Sequence, residues 1–73
     1  MQQLEFQLNG EFVELNQLLK LVGLCDSGGA GKALVASGEV AVDGQQELRK
    51  TAKIWAGQVV TLGDISIRVL AGG

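Results

Sequence analysis

Two hydrophobic periods alternate along this chain. Leu4, Phe6 and Leu8 are separated by Glu5 and Gln7, the every-second-residue pattern of a strand with one buried face. Asn9-Gly10 follows as a turn signal, and Phe12-Val13 resumes the apolar register. From Glu14 the spacing becomes helical. Leu15, Leu18, Leu19 and Val22 fall at i, i+3, i+4 and i+7, with Asn16, Gln17 and Lys20 on the other face. Gly23 is placed to end that helix.

Cys25-Asp26 is a connector, and Ser27 can cap a second helix running to Ser37, with Gly38 as its stop. Gly28, Gly29 and Gly31 weaken it, since glycine costs about 0.8–1.0 kcal/mol relative to alanine in a helix interior. The helix is therefore expected to be short and held by packing of Ala30, Ala33, Leu34 and Ser37 against the first. Val40 and Val42 then mark a short strand, and Asp43-Gly44 is a strong hairpin signal. Gln45 to Lys53 is polar and reads as a return strand or an exposed loop, before Ile54 restores the core. Val59 to Leu62 and Ile65 to Leu70, joined by Gly63-Asp64, form a final hairpin. The pattern predicts one α+β domain over residues 1–73, two short packed helices followed by a small antiparallel sheet of hairpins. Ala71-Gly72-Gly73 is expected to be a mobile tail.

Composition narrows the classes. A chain of 73 residues lies near the lower limit for folding without staples, burying about 60% of its unfolded surface. With one cysteine and no histidine it has neither an internal disulfide nor zinc-ligand spacing. No metal or cofactor is expected, and stability must come from Leu, Val, Ile, Phe and Ala. Glu5 near the start and the lack of a long apolar run exclude a signal-peptide pattern and a spanning helix. The lone thiol fits a reducing compartment, so the expectation is a soluble cytoplasmic protein.

Net charge is −2, which weighs against a nucleic-acid binder taken as a whole. Distribution softens that. Residues 1–19 hold Glu5, Glu11 and Glu14 and no base, whereas Lys20, Lys32, Arg49, Lys50 and Lys53 are concentrated in the middle of the chain.

Catalytic signals are poor. Ser27-Gly28-Gly29-Ala30-Gly31-Lys32-Ala33 superficially resembles a phosphate-binding loop, but Asp26 stands at its first glycine position and Ala33 at its hydroxyl position. Cys25 has no histidine to activate it. Enzyme activity is not expected. Arg49, Lys50 and Lys53 have two readings, a solvated stretch that aids solubility or a set of phosphate contacts. Trp55 likewise either covers the edge of a small core or offers a face to a base. If the stretch is extended, Ile54 and Trp55 point to opposite faces.

Five motifs in order carry a family resemblance. They are V-E-L-x-x-L-L-K-L (Val13 to Leu21), S-G-x-x-x-K (Ser27 to Lys32), G-x-V-x-V-D-G (Gly38 to Gly44), R-K-x-x-K-I (Arg49 to Ile54) and A-G-Q-x-V (Ala56 to Val60). Together they resemble the small stand-alone members of the ribosomal protein S-four RNA-binding superfamily, in particular the YbcJ-like group of bacterial proteins. The resemblance implies an alpha-L motif, with two packed helices and a following hairpin that hold RNA along the helices and the adjoining loop. It implies Lys20, Ser27, Lys32, Arg49, Lys50 and Lys53 as RNA contacts and Asp43-Gly44 as a structural turn. The implied partner is ribosomal or other structured RNA, with the ribosome or an RNA-associated protein as its setting and a monomer as its form. Many members carry arginines early in the second helix, where this chain has Gly28, Gly29 and Gly31. That departure implies weak, salt-sensitive binding.

A second reading comes from the end of the chain. Val69-Leu70-Ala71-Gly72-Gly73 resembles the tail of ubiquitin-like sulfur carriers, in which the terminal carboxylate, here that of Gly73, is adenylated and converted to a thiocarboxylate. It leaves Ser27 to Lys53 unexplained.

Overall fold

The computed structural model describes residues 2–72. Seven strands and two helices follow in the order β1 (Gln2–Gln7), β2 (Phe12–Glu14), α1 (Leu15–Leu21), α2 (Gly28–Ala36), β3 (Val40–Val42), β4 (Gln45–Gln46), β5 (Lys53–Trp55), β6 (Val59–Leu62) and β7 (Ile65–Leu70). Five strands form one sheet in the order β1-β7-β6-β3-β4, and β2 pairs with β5 in a separate antiparallel ribbon. The class is α+β as expected. The sheet, however, is mixed rather than built only of hairpins, because β1 runs parallel to β7.

That pairing follows from burial. β7 is an apolar strand, and β6 covers only one of its edges. β1 takes the other in a register that sets Leu4 beside Ile67 and Phe6 beside Val69, so the apolar alternation of both strands lies on one face. Asn9-Gly10 then does not return β1 on itself. Gly10, with φ of 137°, turns the chain out of the large sheet and into β2.

Both helices form where their spacing places them. Leu15, Leu18 and Leu19 are fully buried on α1, and Gly23 ends it with φ of 86°. Ser27 caps α2 by accepting a hydrogen bond from the Ala30 N–H at 3.1 Å, and Gly38, with φ of 85°, follows its last turn. Two side-chain placements differ from the sequence reading. Asn16 is buried, not on the solvent face of α1. On α2 the inward residues are Gly28, Gly31, Leu34 and Val35, whereas Ala30, Ala33 and Ser37 face solvent. Gly31 explains both shifts. A Cβ there would stand 2.5 Å from the Asn16 carbonyl oxygen, so the helices cross backbone to backbone at this pair.

The V-D-G turn is a locked hairpin. Asp43 and Gly44 both have positive φ, 52° and 83°, as a two-residue turn between twisted strands requires. The Asp43 carboxylate accepts a hydrogen bond from the Val59 N–H at 2.9 Å, tying the turn to the start of β6. Asp43→Ala loses that charge-assisted bond and strains the left-handed backbone, so a cost of about 2 kcal/mol is expected. Asp43→Asn keeps an acceptor and tolerates the conformation, and should cost less than about 1 kcal/mol. Urea unfolding midpoints of the two variants check the difference.

At the other end of the sheet, Gly72 lies against the Leu8 carbonyl, leaving no room for a side chain there. The expected tail and the carrier terminus both end at Gly73, which lies outside the described residues.

Candidate nucleic-acid interface

The loop between β4 and β5 carries Arg49 and Lys50, and its conformation is set by the start of α1. Glu14, in the N-cap position, makes no side-chain cap. The first backbone donors of α1 are satisfied instead by the loop, through Leu15 N–H to the Ala52 carbonyl at 2.9 Å and Asn16 N–H to the Lys50 carbonyl at 3.1 Å. Ala52 is buried beneath this junction. With its carbonyls turned toward the helix, the loop sends Arg49 and Lys50 outward. A helix that starts at Glu14 without Ser, Thr, Asp or Asn is the sequence signal that some other segment must cap it.

Gly31 brings α2 close to the same junction, and the next residue, Lys32, lines the space beside it. An open concavity of about 810 Å³ results, lined by Lys32, Leu48, Arg49, Lys50, Thr51, Ala52, Lys53 and Trp55. Four of the six sequence candidates thus meet at one surface. Lys20 and Ser27 are not among its lining residues. Lys20 lies exposed in the last turn of α1, and the Ser27 oxygen is engaged as the α2 cap.

The cations are not equivalent. Arg49 forms the only ion pair among the described residues, a two-pronged contact with Glu47 at 3.0 and 3.1 Å. Glu47 also accepts from the Arg49 backbone N–H at 3.0 Å. Side-chain hydrogen bonding from Arg49, then its backbone donor, holds the Glu47 carboxyl below the ordinary value near 4.5. The same pairing raises the Arg49 guanidinium. A lowered carboxylate supports this turn above the unfolded value and ceases to do so as pH falls through the folded one, so the pair is intact at neutral pH. Arg49 is therefore partly neutralised, and Lys32, Lys50 and Lys53 are the uncommitted charges. Glu47, two residues before Arg49, was visible in the sequence as a charge but not as a competitor for it.

Trp55 completes the rim. Ile54 takes the inward position on β5 at 1% exposure, and Trp55 points out at 45%, the opposed placement the strand spacing predicts. Phe12 stands opposite Trp55 in the β2–β5 ribbon and is also exposed, not part of the apolar register of the core. The two ring centroids are 5.2 Å apart with planes at 46°. Lys53 Nζ sits 4.9 Å from the Phe12 centroid.

The model of the S4 domain family matches residues 6–70, which include both helices, the V-D-G turn and the cationic loop. The chain belongs to the S4 domain family. It is 49% identical over 59 residues to YbcJ of Escherichia coli (strain K12), covering 81% of this chain and 84% of that protein. The same identity and coverage hold for YbcJ of Shigella flexneri. The solution structure of YbcJ from E. coli, described as revealing an alpha-L motif involved in RNA binding, superposes with a TM-score of 0.71 at 46% identity. That match covers 92% of this chain and 86% of the other. These matches support neither a sulfur carrier nor an activated C-terminus, whereas they include the Ser27 to Lys53 segment that a carrier leaves without a role.

Proposed function

We propose that this S4 domain is a small, non-enzymatic RNA-binding module that holds structured or ribosome-associated RNA in the concavity between α2 and the β4–β5 loop. The observation that carries the reading is the gathering of Lys32, Arg49, Lys50 and Lys53 around one open surface in a chain of net charge −2. Residues far apart in sequence meet there, so a local positive field stands on an acidic whole. The YbcJ structure, with its alpha-L motif involved in RNA binding, supports the same assignment.

The mechanism is phosphate neutralisation and fit to shape. Folded RNA displays phosphates and 2′-hydroxyls across a wide, shallow minor groove, which a small rigid wedge can follow without reading base edges. The protein acts as a monomer in the cytoplasm in this reading, with Lys32, Lys50 and Lys53 as principal contacts. Fluorescence anisotropy with a labelled RNA hairpin tests it, across a salt series and with those three lysines neutralised. Binding that ignores both salt and the lysines would overturn it.

Glu47 sets a ceiling on the affinity. Glu47→Gln keeps an acceptor for the Arg49 N–H but removes the competing charge. The freed guanidinium should add one phosphate contact, tightening binding at low salt and steepening the log–log salt slope by about 0.7–0.9. The same anisotropy titration reads that change.

A further inference from the structure

The chain has three aromatic residues, and two of them, Phe12 and Trp55, are spent on one exposed surface. Aromatic side chains are scarce here, 4% of the chain, and these two are withheld from the core. Phe12 is already engaged, with Trp55 beside it and the Lys53 ammonium over its ring. Trp55 keeps 45% of its surface in solvent while lining the basic concavity. The arrangement offers a flat apolar face next to cations. A single unpaired nucleotide has the complementary form, a flat base joined to a phosphate.

We infer that the RNA taken by this site carries an unpaired nucleotide beside its helix, with the base stacked on Trp55 and the adjoining phosphate held by Lys53 and Lys50. This rests on the RNA-binding reading above and narrows its substrate class. In an uninterrupted duplex every base face is covered by its neighbours, so Trp55 has nothing to stack against. A nucleotide bulged from the stem supplies that face. The charge of the surroundings selects the occupant, because Lys32, Lys50 and Lys53 line the same concavity as Trp55 and suit a polyanion better than an apolar peptide.

The full chain is titrated with two labelled RNA hairpins of equal stem length, one uninterrupted and one with a single adenine bulge. Trp55 is the only tryptophan, so its own emission reports on stacking. The bulged hairpin should bind more tightly and quench that emission, and the uninterrupted one should leave it nearly unchanged. Trp55→Ala should lower affinity for the bulged RNA by roughly 5- to 150-fold, the range for loss of one stacked base, so that the two RNAs bind alike. Trp55→Leu, which keeps apolar bulk over Phe12 without an aromatic face, gives the same answer if the alanine variant folds poorly. Equal wild-type binding to both RNAs with unchanged emission overturns the stacking inference and leaves the RNA-binding reading standing. Failure of both RNAs to bind overturns the reading, and the inference with it.

Discussion

Alanine at Lys32, Lys50 and Lys53 together is expected to remove most of the RNA affinity of this domain while leaving it folded. If each lysine neutralises one phosphate, the wild-type log–log salt slope should lie near −2 to −3. Affinity then falls roughly 20- to 40-fold between about 50 and 200 mM salt. The triple variant should lose nearly all of that slope. Followed from about 1 M down to about 50 mM salt, the missing counterion release corresponds to roughly a thousandfold in affinity at the low end.

Stability should change little by comparison. The three side chains are exposed, where substitutions usually stay within about 0.5 kcal/mol. Lys53 adds its contact with the Phe12 ring, worth about 0.5–1 kcal/mol at an exposed site. The variant also becomes more acidic overall, so a general repulsion must be separated from loss of the site. Lys20→Ala with Arg68→Ala does this, since both cations are exposed and neither lines the concavity. That pair should cost far less affinity and little slope. Equal losses in the two sets would replace a local site with a diffuse field. An unchanged slope in the triple variant would remove the assigned lysines from the interface.

The elements were legible wherever the information was local. The Leu15, Leu18 and Leu19 face, the Ser27 cap, the Gly23 and Gly38 stops and the Asp43-Gly44 turn each follow from residues within one or two turns of chain. What was not legible depends on segments meeting across the fold. β1 pairs in parallel with β7 because two alternating strands share an apolar face, and alternation alone does not say which strand will be the neighbour. Asn16 reads as polar surface from its helix period, yet it is buried where Gly31 admits the Asn16 backbone. The site divides the same way. A run of cations at 49–53 was visible, but its presentation depends on loop carbonyls capping a helix more than thirty residues earlier in the chain. Partial neutralisation of Arg49 by Glu47 needed a rotamer, and the exposure of Phe12 needed its strand partner.

The helix crossing carries the second large effect, and glycine makes it a test of opposite signs. Gly29 and Gly31 belong to the same nine-residue helix, and by propensity alone alanine should improve both. At Gly29 a Cβ meets nothing nearer than the Ser27 Oγ at 3.8 Å, so Gly29→Ala should raise stability, by less than the about 0.8–1.0 kcal/mol of a helix interior because Gly29 lies in the first turn. At Gly31 the new carbon would sit 2.5 Å from the Asn16 oxygen and 3.2 Å from its carbonyl carbon and Cα, all backbone atoms that no rotamer change can move. Overpacking of this kind costs about 1–3 kcal/mol and occasionally more, which outweighs the propensity gain. A clash at 2.5 Å with a backbone oxygen falls in the upper part of that range, and the remaining net loss of about 1–2 kcal/mol lowers Tm by roughly 5–15 °C in a domain of this size. The same shift should reach the interface. Asn16 donates its N–H to the Lys50 carbonyl, and Lys32 follows Gly31 directly, so separating the helices moves the two sides of the concavity apart. Gly31→Ala is therefore expected to weaken RNA binding under conditions where the variant remains folded, and Gly29→Ala is not expected to weaken it through helix separation. Thermal unfolding by circular dichroism, paired with anisotropy at a temperature below both transitions, measures the two effects separately. A rise in Tm for both variants would mean that the crossing has slack, and that Gly31 is not what fixes Lys32 against Lys50.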